Sequence, residues 1–197
     1  MRDSATSSRP SAAIILAAGK GTRMAGDLPK VVHPVADAPM VKWVVDAVRA
    51  AGVQRIIVVV GYHAQDVKDV FAADDGIEYV MQHEQHGTGH AVDVCRSAMA
   101  DFDGDTFVLA GDGPLIRSET LCIMQQVHHA NDAAATLATS VIDDPTGYGR
   151  IVRDSHGRFQ AIVEHKNATD EQRAIHEVYP SYALFDNHSL FAQLECL

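Results

Sequence analysis

A chain of 197 residues, 47% of them apolar, is long enough to bury a core and too apolar to stay disordered. Its 16 Lys and Arg against 26 Asp and Glu give a formal net charge of −10, which argues against non-specific binding to nucleic acid or to a membrane surface; a locally positive pocket for an anion stays possible. Cys95, Cys122 and Cys196 are odd in number, far apart and without a Cys-x-x-Cys, so they suggest neither a zinc site nor a disulfide framework and read as free thiols of a cytoplasmic protein.

Residues 1–11 are polar and rich in Ser and Arg, lack the apolar stretch of a signal peptide, and read as a disordered tail before one domain over 12–197. No apolar run reaches transmembrane length. Residues 12–16 form a short apolar run that reads as a buried strand feeding a loop. Residues 39–51 place Met40, Val41, Val44, Val45 and Val48 at helical spacing, with Gly52 as a stop. Residues 55–60 are dense in Ile and Val, as a core strand of a parallel sheet is. A helix over 64–71, a strand over 77–81, a helix over 89–99, a strand over 106–110 and a helix over 118–129 follow. Strand and helix alternate four times, which predicts a doubly wound α/β fold with a mostly parallel sheet. Ligands of such sheets bind beyond the carboxyl ends of the strands.

After residue 129 the rhythm changes. Strands are expected over 134–141, 148–153, 158–163 and 182–185, the middle two joined as a hairpin by Asp154-Ser155-His156-Gly157. Asn187 is expected to cap a last helix beginning near His188. His128-His129 reads as a solvated helix end. His83, His86 and His90 would share a helix face only if a helix ran unbroken through Gly87 and Gly89, so a zinc cluster is not expected.

Chemistry concentrates first in Leu16-Ala17-Ala18-Gly19-Lys20-Gly21-Thr22-Arg23-Met24, followed by Leu28-Pro29-Lys30. A strand ends there, and two glycines let the backbone turn tightly and approach a ligand. Exposed N–H groups in such a turn cradle phosphate, and Lys20, Arg23 and Lys30 supply charge for a triphosphate. The segment is not a Rossmann fingerprint, because Met24 stands at the third glycine, and it lacks the Lys-Ser/Thr of a P-loop. Asp112 follows the apolar Phe107-Val108-Leu109. A carboxylate at a strand's carboxyl end beside phosphates suits Mg²⁺, although an isolated Asp in a turn is more often a simple cap.

The pattern Gly-x-Gly-Thr-Arg with a downstream Pro-Lys resembles the nucleotidyltransferase family of sugar-nucleotide pyrophosphorylases. Four further stretches extend the resemblance from about residue 13 to 177: Gln82-His83-Glu84-Gln85-His86-Gly87-Thr88-Gly89-His90-Ala91, Gly111-Asp112-Gly113-Pro114-Leu115, Asp144-Pro145-Thr146-Gly147-Tyr148-Gly149-Arg150-Ile151, and Ile162-Val163-Glu164-His165-Lys166. Within the family these are most similar to the N-terminal uridyltransferase domains of the bifunctional UDP-N-acetylglucosamine pyrophosphorylase/glucosamine-1-phosphate acetyltransferases.

The resemblance implies a Rossmann-like nucleotide-diphospho-sugar transferase fold with a small β-hairpin excursion. It implies transfer from UTP to N-acetylglucosamine 1-phosphate with release of pyrophosphate. Leu16, Ala17, Ala18, Gly19 and Gly21 would touch the nucleotide through backbone, with Ala110 and Gly111 beside it. Arg23 and Lys30 would stabilise phosphate charge, Asp112 would hold Mg²⁺, and Gln82, Gly87 and Thr88 would read uracil. Gly149, Glu164 and the position of Tyr179 would line the amino-sugar pocket. The sugar phosphate is itself an ionised nucleophile, so positioning and charge neutralisation would carry catalysis.

Two departures stand out. The family has Asn where Tyr179 stands, and Tyr179-Pro180-Ser181 alters that wall. Against the family's length the domain is expected to be incomplete at its C-terminal end, without the second metal-binding side chain and the acetyltransferase half, so acetyl-CoA is not an expected ligand. Alternatives are a nucleotidyltransferase of other specificity, of the molybdenum-cofactor guanylyltransferase type, and a truncated module that holds nucleotide without turning it over.

Overall fold

The computed structural model describes residues 9–21 and 27–195, and its organising element is strand β1 (Ser11–Leu16), whose residues Ala12 to Ile15 are wholly buried. A 3₁₀ turn (Lys30–Val32) and a two-residue ladder between β2 (Pro34–Val35) and β3 (Ala38–Pro39) follow. Helix α1 (Met40–Ala50) buries Met40, Val41, Val44, Val45 and Val48 on one stripe, as their spacing predicts. Each such valine contributes roughly 1.5–3 kcal/mol when fully buried. Strand β4 (Arg55–Val60), helix α2 (Ala64–Asp69) and strand β5 (Glu78–Met81) come next.

The helix expected over 89–99 is two helices, α3 (Thr88–Asp93) and α4 (Arg96–Met99). The Cys95 N–H reaches back three residues to Val92 rather than four, tightening the turn, and an Asp93–Arg96 ion pair spans the break. Strand β6 (Asp105–Ala110) and helix α5 (Ser118–Ala130) complete the alternation.

The strand expected over 134–141 is also divided, into β7 (Ala135–Leu137) and β8 (Ser140–Val141). The chain forms two compact units, and the border between them falls inside this segment. The first unit ends at Thr136 and resumes at Leu184; the second runs from Leu137 to Ala183. In the second, β9 (Gly149–Arg153) and β10 (Phe159–Val163) form the expected hairpin around Asp154 to Gly157. A 3₁₀ turn (His165–Asn167), helix α6 (Asp170–Arg173) with a Thr169–Gln172 capping box, and strand β11 (Glu177–Tyr179) follow. The hairpin belongs to a four-stranded sheet ordered β10-β9-β11-β8. Strand β12 (Tyr182–Asp186) leads to helix α7 (Asn187–Leu194).

The main sheet is ordered β5-β4-β1-β6-β12-β7. β1 pairs in parallel with β4 and with β6, and β4 pairs in parallel with β5. The fold is therefore α/β with a mostly parallel sheet. From β1 the chain winds outward through β4 to β5, then returns through α3 and α4 to lay β6 on the other side of β1. The strand order reverses between β1 and β6, which makes their carboxyl ends the crevice where such sheets take ligands.

Three local expectations are corrected. Asp186, not Asn187, caps α7: its Oδ1 accepts the Ser189 N–H at 2.8 Å. Asn187 is buried, donating to the carbonyls of Met99 and Phe102 and accepting from the Thr106 hydroxyl. Of the pair His128-His129, only His129 is at a solvated end. His128 is buried against the Thr136 hydroxyl, and His129 Nε2 meets the buried carboxylate of Asp105 at 2.5 Å. Residues 1–8 of the expected tail lie outside the described residues, whereas Arg9 pairs with Asp105 and Asp186 and Ser11 already belongs to β1. Among the described residues no helix is long and apolar enough to cross a membrane.

Candidate active site

The loop after β1 brings its backbone donors to the crevice. Ala17 N–H still bonds Val59 O, tying it to β4. Beyond it, the N–H groups of Ala18, Gly19, Lys20 and Gly21 meet no acceptor among the described residues. Unpaired amides are costly unless water or an anion takes them, and Gly19 and Lys20 are exposed. Gly21 has φ +65°, and a Cβ there would stand 2.6 Å from the Cβ of Lys30, so the loop needs glycine both for its turn and to admit Lys30. Lys20 Nζ lies 5.1 Å above the Tyr62 ring. Arg23 lies outside the described residues.

Opposite stands the end of β6. Gly111 N–H bonds Leu16 O at 2.9 Å, and a Cβ on Gly111 would meet that same oxygen at 2.8 Å. Only glycine lets the two strand ends approach this closely. Ala110 and Gly111 thus flank Leu16, and the next residue, Asp112, sends Oδ2 to within 2.6 Å of Lys30 Nζ. Both side chains keep a third or more of their surface exposed. A part-exposed carboxylate at a strand's carboxyl end suits Mg²⁺, which takes one or two carboxylates and completes its shell with phosphate and water.

The end of β5 supplies a third wall. Gln82 is buried, its N–H bonded to Val60 O. Its Nε2 lies 3.0 Å from His90 Nδ1 and 3.5 Å from Gly87 O. Gly87 has φ +101° and Thr88 opens α3. Gln85 donates through Nε2 to Ala18 O at 2.8 Å, and Tyr62 N–H donates to the same oxygen, so the segment after β5 and the turn after β4 are both bound to the loop after β1. Sequence reasoning did not single out Gln85, and it weighed His90 only as part of a zinc cluster that was not expected. Both stand in the Gln82 to Ala91 stretch, but their partners are visible only once the chain turns back on itself.

In the second unit, Tyr179 is paired in register with Gly149, and a Cβ on Gly149 would stand 3.6 Å from Oε1 of Glu164. Those three residues therefore meet on one sheet. Burial pushes the Tyr179 hydroxyl up to about 12, so it stays a neutral phenol at ordinary pH. The buried Arg150 guanidinium donates to the carbonyls of Tyr148 and Arg173 and to His165 Nδ1, bracing the strand beneath Gly149.

The chain is 48% identical over 182 residues to the bifunctional protein GlmU of Geobacillus sp., covering 92% of this chain and 39% of that protein. It is 51% identical over 167 residues to the bifunctional protein GlmU of Geobacter metallireducens, covering 85% and 35%. It thus spans about two fifths of the length of the curated relatives it matches. The solved structure of a UDP-glucose pyrophosphorylase complexed with UDP-glucose shares the fold, with TM-score 0.77 and 18% identity over 94% of this chain and 79% of that one. Residues 13–180 match the MobA-like NTP transferase domain, and the chain belongs to that family.

Proposed function

We propose that this chain joins UTP and N-acetylglucosamine 1-phosphate to give UDP-N-acetylglucosamine and pyrophosphate. The observation that carries the reading is the juxtaposition at the β1/β6 crevice of four amides, from Ala18 to Gly21, that meet no acceptor among the described residues, with the Lys30–Asp112 pair. Kinship with GlmU proteins over nine tenths of the chain supports it.

An oxygen of the sugar phosphate forms a bond to the α-phosphorus of UTP, and the bond from that phosphorus to the bridging β-oxygen breaks. Pyrophosphate carries the electron pair away. No proton need be removed from the nucleophile, which accounts for the want of a dedicated base. The amides of residues 18–21 would hold phosphate oxygens, with Leu16, Ala17, Ala110 and Gly111 shaping the floor. Lys30 would turn from Asp112 toward the phosphates and offset the charge that builds on them, and Arg23 is assigned the same task. Asp112, released, would hold Mg²⁺, which when bound supplies charge neutralisation on phosphate oxygens. Gln82, Gly87 and Thr88 would read the uracil edge. Gly149, Glu164 and Tyr179 would receive the amino sugar.

The test is direct. Purified chain is incubated with UTP, N-acetylglucosamine 1-phosphate and Mg²⁺, and pyrophosphate is followed. Release with UTP but not with GTP supports the reading. UTP binding without release, or release with GTP alone, overturns it.

A further inference from the structure

Gln82 carries a carboxamide whose two ends have opposite hydrogen-bonding sense, an N–H₂ that donates and an oxygen that accepts. A buried carboxamide free to flip would present either end to a ligand and so read nothing. Here its Nε2 faces two groups. One is the carbonyl of Gly87, at 3.5 Å, which can only accept. The other is His90 Nδ1 at 3.0 Å, and a ring nitrogen facing an N–H must be the bare one. His90 therefore accepts at Nδ1 and keeps its proton on Nε2. With both N–H bonds of Gln82 directed at these partners, Oε1 is the end left for a ligand.

An outward acceptor set against N3 of the base selects one that donates there. Uracil offers an N–H at N3, whereas cytosine offers a bare nitrogen there. Resting on the reading of Gln82 as the base-contacting residue, we propose that His90 is a positioning residue that locks the Gln82 carboxamide with its oxygen outward and so sets the preference for an imide base over cytosine. The Ala91 N–H bonds Gly87 O, and the Val94 N–H bonds His90 O, so the imidazole is presented from fixed backbone.

The experiment measures binding of UTP and of CTP, each with Mg²⁺, to the full chain and to His90→Leu and His90→Asn by titration calorimetry, with circular dichroism as a check on folding. Leucine removes the acceptor, whereas an asparagine oxygen can stand where Nδ1 stands. The wild type should prefer UTP. His90→Leu should lose about tenfold of that preference, as expected for one misdirected hydrogen bond, and His90→Asn should restore most of it. In turnover the loss should appear in the UTP KM rather than in kcat. A merely structural role for His90 would weaken UTP and CTP together, and an unchanged UTP-to-CTP ratio in folded His90→Leu overturns the proposal. Should the leucine variant not fold, a folded His90→Asn that has lost the preference overturns it equally, and one that keeps it supports it. Wild-type chain that binds no UTP removes the parent reading and this one with it, a result distinct from a change in ratio.

Discussion

Lys30 Nζ lies 2.6 Å from Oδ2 of Asp112, so the cation and the carboxylate assigned to the same phosphates neutralise each other before any ligand arrives. The pair ties the 3₁₀ turn that follows the β1 loop to the end of β6, the two sides of the crevice. Because both groups are substantially exposed, solvent screens the attraction, and the pair contributes about 0–1 kcal/mol at most. A tie this weak is readily exchanged for phosphate and metal.

It follows that Lys30→Ala and Asp112→Ala should each lower turnover by about 100-fold or more while leaving the fold intact. Circular dichroism and pyrophosphate release on the same preparations check both halves of the statement. Lys30→Ala should in addition bind Mn²⁺, a paramagnetic stand-in for Mg²⁺, up to about fivefold more tightly without nucleotide, because the competing ammonium is gone. Retention of full turnover by either variant would remove that residue from its assigned role.

The crevice itself depends on Gly111. An alanine there would put Cβ 2.8 Å from Leu16 O, a backbone atom that cannot swing aside. The ends of β1 and β6 must then part, and the Gly111 N–H bond to Leu16 O is lost or stretched. Gly111→Ala should cost about 1–3 kcal/mol in urea unfolding. It should weaken UTP binding by more than it weakens the fold, since the displaced Leu16 feeds the loop that carries the amides of residues 18–21. A variant as stable as wild type with normal UTP affinity would show that the strand ends tolerate separation.

The long elements were legible because their residues carry their own periodicity. The strand over 55–60 is read residue for residue, since six consecutive Arg, Ile and Val positions admit little else between two glycines. The two- and three-residue strands β2, β3 and β11 were missed, because so short a run has no pattern and is defined by its partner. The single strand expected over 134–141 failed for the same reason: which sheet each half joins is decided by residues from 177 to 186. Buried polar residues were the hardest. Asn187 looks like a cap and His128 like part of a solvated end, and only distant partners, Thr106 and Thr136, show otherwise. At the site, the motifs marked Gln82 and Asp112, but the contacts that orient them come from His90 and Lys30, across turns that sequence spacing does not describe.

Tyr179 bears on the acceptor. The resembling family has asparagine at this place, and here a phenol held neutral by burial faces Gly149 across the β9–β11 ladder. Tyr179→Asn should lower the KM for N-acetylglucosamine 1-phosphate by severalfold, about the value of one net hydrogen bond, and leave the KM for UTP unchanged. Initial-rate measurements with each substrate varied in turn give the answer. An unchanged sugar-phosphate KM would mean that this side chain does not meet the acceptor.

The last prediction concerns the end of the central strands opposite the crevice, where Arg9 enters β1 and Asp105 opens β6. Burial alone would raise the Asp186 carboxyl, but its bonds to Ser189 and its pairing with Arg9 prevail and bring it down to about 2. An unfolded aspartate titrates near about 3.9. The folded value is the lower one, so the stabilisation from this carboxylate is fully present above roughly pH 5 and is lost as pH falls through about 2. Asp186→Ala removes both the cap of α7 and the partner of Arg9 and should cost about 1–2 kcal/mol at pH 7. Asp186→Asn keeps a capping oxygen and removes only the charge, so it should cost less, about 1 kcal/mol or under. Urea midpoints for wild type and Asp186→Asn should therefore converge between pH 5 and pH 2. A gap that stays constant across that range would show that the carboxylate's charge adds nothing beyond the cap, and that the Arg9 pair is held for geometry alone.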